Sequence, residues 1–131
     1  MADPTPGMLW WQVEVIVNAG RPLGGMPVRR VVVRGPSMSP ALADGDTVLA
    51  SRGVPRVGDI VLVTWDARPG QLSVKRAVRP VGGGWHVEGD NRFGSTDSRT
   101  LGPARVHAVV RWRLWPRPRR LQGLRQGPKA L

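Results

Sequence analysis

Cysteine is absent from this chain of 131 residues. That excludes disulfides, thiolate metal sites and a cysteine nucleophile together. Tyrosine is also absent and phenylalanine occurs once, so any stacking platform for nucleic-acid bases would rest on the six tryptophans. The two histidines, His86 and His107, are too few for a metal cluster, and no metal or other cofactor is expected. No apolar run reaches the roughly 20 residues that a membrane-spanning helix requires. The longest candidate, Met8 to Val17, is short and carries Gln12 and Glu14. Met1 to Pro6 has no positive residue, unlike the start of a secretory signal peptide. With neither feature, a cytoplasmic location is expected.

Valine is what the chain has in quantity. With 19 Val, 11 Leu, 2 Ile and 1 Phe, about a quarter of the residues can build a core, enough for one globular domain. The 17 Gly and 13 Pro argue against a helical bundle, and the valines favour strands. The net charge of +11 is unevenly spread. Residues 1–97 hold 11 basic against 9 acidic side chains, whereas residues 98–131 hold 9 basic and none acidic. The high charge therefore belongs to the C-terminal end, which is Pro-interrupted and Arg-rich. Residues 115–131 read as a basic tail expected to be disordered, either solubilising or suited to anionic surfaces.

Residues 1–27 read as a leader, expected to be flexible, in which Met26 is a second candidate start. The domain proper is expected over residues 28–114. Val31 to Val33 reads as a buried strand, and Asp44-Gly45-Asp46 as a turn into a strand at Thr47 to Ala50. Ile60 to Trp65 is strongly strand-like. Arg68 to Gln71 reads as the turn of a hairpin resumed by Leu72 to Val78. Gly82 to Gly84 is a further turn before Trp85 to Glu88, and Val106 to Trp112 is the last strand. Six or so short strands about ten residues apart indicate a single all-β domain of short strands and hairpins.

Three polar features stand out against this background. Ser37 lies in Gly35-Pro36-Ser37-Met38-Ser39-Pro40, directly after the Val31 strand, where a serine is ordinarily a turn residue or a cap. Lys75 lies in a strand whose alternation puts Leu72, Val74, Arg76 and Val78 on one face and Ser73, Lys75 and Ala77 on the other. Arg76 shares its face with apolar residues, so the pattern leaves open which side is core, and an exposed strand lysine is the ordinary reading. Residues 89–99, Gly-Asp-Asn-Arg-Phe-Gly-Ser-Thr-Asp-Ser-Arg, crowd hydrogen-bonding side chains into one loop.

Together these segments resemble the signal peptidase I family of serine endopeptidases. Its Ser-Met-x-Pro box is similar to Ser37 to Pro40, followed by Leu42 and Gly45-Asp46. Its Gly-Asp-Ile-Val box is similar to Gly58 to Val61, its Lys-Arg box to Lys75-Arg76, and its last box to residues 89–99. Four boxes in order, with Ser37 and Lys75 38 residues apart, make a specific signal. The resemblance spans residues 31 to about 112 and implies a small β domain of the kind shared with self-cleaving repressors.

It also implies a Ser-Lys dyad, which the chemistry of the residues accommodates. A serine hydroxyl needs a base, and no histidine lies in either motif. A solvated lysine is protonated near neutral pH, while burial against apolar strands favours the neutral amine, which can accept a proton. By the same mapping Ser95 orients Lys75, Asp97 and Arg99 buttress the Ser95 loop, and Asp90 and Asn91 fix its turn. Gly35, Pro36 and Met38 border the substrate and oxyanion region. Some members carry a serine where this chain has Gly35, so the oxyanion would rest on backbone N–H groups, that of Ser37 first. Ala41 replaces a usual threonine.

Only twelve residues, 77–88, separate the Lys box from the last box, where membrane-bound relatives often insert a second domain. The chain is thus most similar to short maturation proteases such as those that process nickel superoxide dismutase. The implied partner is a peptide or protein with an N-terminal extension, cut after small residues, with peripheral contact to anionic membrane through the basic tail. Two other readings stand beside it. One is a self-cleaving regulator of the same fold, for which Ala19-Gly20 is the candidate bond. The other is a non-enzymatic basic β domain binding membrane or nucleic acid, the latter disfavoured by the scarcity of aromatics.

Overall fold

The computed structural model describes residues 15–17, 28–94 and 96–121. Among them the chain forms one antiparallel eight-stranded sheet, in the order β1-β2-β3-β7-β4-β5-β6, with β8 paired to β7. The strands are β1 (Val15–Val17), β2 (Val28–Val33), β3 (Thr47–Ser51), β4 (Ile60–Trp65), β5 (Arg68–Val81), β6 (Gly84–Glu88), β7 (Arg105–Trp115) and β8 (Arg119–Arg120). A single helical turn, α1 (Ser98–Leu101), follows the polar loop. The all-β expectation holds.

Period-two alternation divides this sheet into two cores. Val31, Val33, Val48, Ala50, Ile60, Leu62, Val74 and Val110 form the first, joined by Met38 and Leu42 from the turn after β2. Val61, Val63, Trp65, Ala77, Val87, Ala104 and Val109 form the second. Strand β4 feeds both, Ile60 and Leu62 to one side and Val61 and Val63 to the other, which is why it is apolar throughout rather than alternating. Residues 73–77 of β5 are buried on both faces as well. The alternation of β5 therefore could not indicate one core side, because both sides are core.

Several sequence boundaries shift. The β4–β5 turn is Asp66-Ala67, since Trp65 pairs with Arg68, so Arg68 to Gln71 belong to the strand rather than to the turn. The leader is not wholly separate, because Val15 to Val17 pair with Val33 to Val31. Nor does the sheet stop at residue 114. Arg119 and Arg120 pair with Arg113 and Trp112, and Leu121 is buried in the first core with its N–H donated to the Arg111 carbonyl at 2.7 Å. Cationic residues flanking one apolar anchor follow the sheet edge, so residues 115–121 are a packed return rather than a disordered tail.

A close approach explains one glycine. Gly84 opens β6 where Trp85 and Ala104 exchange backbone hydrogen bonds of 2.9 and 2.7 Å, and a Cβ at Gly84 would lie 2.5 Å from the Ala104 carbonyl oxygen. That contact draws the segment before β7 against β6 and closes the second core beside α1.

Candidate active site

Ser37 sits on a loop whose two ends are stapled. The Val33 N–H donates to the Asp46 carbonyl (2.8 Å), and the Gly45 N–H donates to the Val33 carbonyl (2.7 Å). Inside this closure Asp44 accepts from the Gly35 N–H at 2.8 Å and Asp46 accepts from the Ala43 N–H at 2.9 Å. Met38 and Leu42 are wholly buried beneath the loop and tied by a Leu42 N–H to Met38 carbonyl bond of 2.9 Å. The apolar side chains anchor the loop from below, while carboxylates satisfy backbone donors that a short loop would leave orphaned. Ser37 itself is 4% exposed.

Gly35 has a backbone φ of +84°, in the region that favours glycine. Space beside it is open, so the backbone, not crowding, disfavours a serine here. Its N–H is engaged by Asp44 and is not offered to an oxyanion. Pro36 is exposed at the rim, and its carbonyl accepts from Ser39. Met38, expected to border the substrate region, is wholly buried in the first core.

Lys75 occupies the middle of β5, in register with Val61 of β4. Directly opposed residues share a face, so its side chain emerges among the second core, and its exposure is 0%. This is not the exposed strand lysine of the ordinary reading. A buried ammonium is costly, and apolar neighbours such as Val61 give lysine no packing advantage over leucine. Its neighbour Arg76 points to the opposite side, donating from Nε and Nη2 to the two Asp90 oxygens (3.2 and 2.6 Å) and from Nη1 to the Gly58 carbonyl (3.0 Å).

The polar loop links these pieces. Asp90 holds Arg76, and the next residue, Asn91, donates its backbone N–H to the Ser37 carbonyl at 2.9 Å and its amide to the Pro36 carbonyl at 3.1 Å. Two adjacent residues therefore join the strand bearing Lys75 to the loop bearing Ser37. Asn91 also turns its own loop by accepting from the Phe93 N–H at 3.2 Å. Asp90 faces Arg76 rather than the loop. Neither the Arg76–Asp90 pair nor the roles of Asp44 and Asp46 was read from sequence. The available signal was a charged residue on the apolar face of a predicted strand.

Asp97 is 1% exposed and accepts hydrogen bonds from both sides of the loop. They come from the Gly89 N–H (2.8 Å), the Arg99 N–H (3.1 Å), and Arg99 Nε and Nη2 (2.9 and 2.7 Å). It thereby caps α1 and fastens the start of the loop to its end. The Asp97 hydrogen bond raises the Arg99 pKa, with burial opposing it. Ser98 accepts from the Val87 N–H and from the Trp65 indole, tying α1 to the second core. Ser95 lies outside the described residues.

Strand β1 bears on the self-cleavage reading. It runs antiparallel to β2 from Val15, opposite Val33, to Val17, opposite Val31. The chain thus leaves β1 heading away from the Ser37 end of β2. Ala19 and Gly20 lie outside the described residues.

Residues 23–84 match the family model of signal peptidase, peptidase S26. Over that stretch, a little under half of its length, the chain is similar to the S26 family. The matched segment contains the Ser37 loop and Lys75 and ends before the polar loop of residues 89–99, so the geometry of that loop is independent of the match. No curated protein matches the chain. The matched model is that of a signal-peptidase-like peptidase. No helix among the described residues is long and apolar enough to cross a membrane.

Proposed function

We propose that this domain is a serine endopeptidase in which Ser37 attacks a peptide carbonyl and Lys75 accepts the serine proton. The observation that carries the reading is the complete burial of Lys75 in β5, one residue from the Arg76–Asp90–Asn91 connection that ends on the Ser37 carbonyl. A lysine in a dry core is suited to act as a base when neutral, and the connection holds the two elements in one geometry. Attack forms the Ser37 Oγ–carbon bond and moves the carbonyl π electrons onto oxygen. The Ser37 proton passes to the Lys75 amine and then to the leaving amine, and water releases the acyl group. The Ser37 N–H is the first candidate donor to the oxyanion.

The substrate in this reading is a protein with a removable N-terminal extension, cut after small residues. A cleft of about 350 Å³ lies between β2 and β5, with Leu62 and Leu72 on its apolar side and Arg29 and Arg52 at its rim. Location in the cytoplasm with peripheral contact to anionic membrane fits the β7–β8 edge, where Trp112 and Trp115 are 45% and 62% exposed beside Arg117, Arg119 and Arg120.

The test is cleavage of a peptide library followed by mass spectrometry. Wild-type protein is expected to cut after small residues, and Ser37→Ala and Lys75→Ala proteins are expected to cut nothing while keeping their circular dichroism. Undiminished cleavage by either variant would reject the dyad.

A further inference from the structure

The hydroxyl of Ser73 is wholly buried and has no hydrogen-bond partner among the described residues. Such a group is costly relative to a satisfied one, and alanine or valine would fill the position without that cost. Its place in the sheet supplies a reason. Ser73 opposes Val63 and Lys75 opposes Val61 in unbroken register, so the two side chains lie two residues apart on one face of β5. The neighbouring positions on that face are apolar: Val61, Val63 and Ala77.

Resting on the proton-acceptor role given to Lys75, we propose that Ser73 is a positioning residue for the cation that forms during the reaction. A neutral lysine amine has two N–H donors and one lone pair. After it takes the Ser37 proton it has three donors, no lone pair and a positive charge, all inside a dry core. An acceptor that is idle before the transfer and engaged after it stabilises the transition state more than the ground state. Ser73 Oγ is this acceptor. The proton travels from Ser37 Oγ to Lys75 Nζ as the Oγ–carbon bond forms, and Ser73 accepts a hydrogen bond without changing its own protonation. Lys75 reaches Ser73 through rotation of its four-carbon stem.

The proposal separates stability from turnover in a way that an ordinary core serine would not. In the full chain, Ser73→Ala is expected to keep or raise the melting temperature, since no folded-state hydrogen bond is lost. It is expected to lower kcat by about tenfold to a hundredfold, the span of a hydrogen bond to a charged group, with KM unchanged. Ser73→Thr, which keeps a hydroxyl, is expected to recover most of kcat. A wild type that cuts no peptide would overturn the protease reading itself. A wild type that turns over, beside a Ser73→Ala protein of equal kcat, would overturn the role of Ser73 alone. That role would equally be overturned if Ser73→Ala lost stability and kcat together and Ser73→Thr restored neither.

Discussion

Two neighbouring regions of the sheet use arginine in opposite ways. Around the candidate site, Arg76 is nearly buried against Asp90, and Arg99 clasps a buried Asp97. At the β7–β8 edge, Arg117, Arg119 and Arg120 stand in solvent beside two exposed tryptophans. In the first set Arg76 and Asp97 are desolvated and enclosed by partners, so removing a partner leaves a buried charge uncompensated. The other set is fully hydrated and contributes little to folding, but it remains available to an anionic surface. Net charge alone, +11 for the whole chain, cannot distinguish these uses.

The sharpest break between the two regions is expected at the dyad. Ser37→Ala, Lys75→Ala and the double variant should each lose roughly 10³-fold or more in kcat, and the double should lose little beyond either single, because the pair acts as a unit. Additive losses in steady-state assays would show that the two residues act separately. Next in size is Arg76→Leu, which strands Asp90 and should cost about 3–5 kcal/mol in denaturant unfolding. A loss below about 1 kcal/mol, the scale of an exposed ion pair, would mean that the connection to the Ser37 loop is superficial.

The β7–β8 edge is probed by smaller effects. Leu121→Ala should cost about 2–3 kcal/mol through the void left in the first core, with peptide cleavage falling only as far as folding does. An unchanged melting temperature would return residues 115–121 to the status of a loose tail. Smallest of all, Arg119→Ser with Arg120→Ser should weaken binding to anionic vesicles by about 1 kcal/mol per residue, measured by co-sedimentation. Stability and cleavage should be unmoved. Equal binding to neutral vesicles, or no loss in the variant, would assign these arginines to solubility.

Much of the site was legible because its residues are adjacent in sequence where they matter. Gly35 to Pro40, Lys75-Arg76 and residues 89–99 are compact patterns, and valine-rich period-two runs marked β2, β4 and β7. Boundaries were less legible. Pro69-Gly70 has the composition of a turn yet lies in β5, because the register between β4 and β5 places the reversal at Asp66-Ala67. The Arg-rich stretch after residue 115 resembled a solvated tail because a single buried leucine among cations leaves no periodic trace.

By itself the sequence determined the fold class, through the supply of valine and the spacing of turn residues, and the order of the boxes along the chain. Those are properties of local conformation and composition, and they survive without knowing which strands meet. Only the tertiary structure decided that both faces of β5 are core, that Lys75 is wholly buried while Arg76 beside it reaches Asp90, and that Asn91 hydrogen-bonds to Ser37 across 54 positions of sequence. Burial and long-range pairing depend on strand order and register. The same strand of alternating residues acquires different chemistry according to what covers each of its faces.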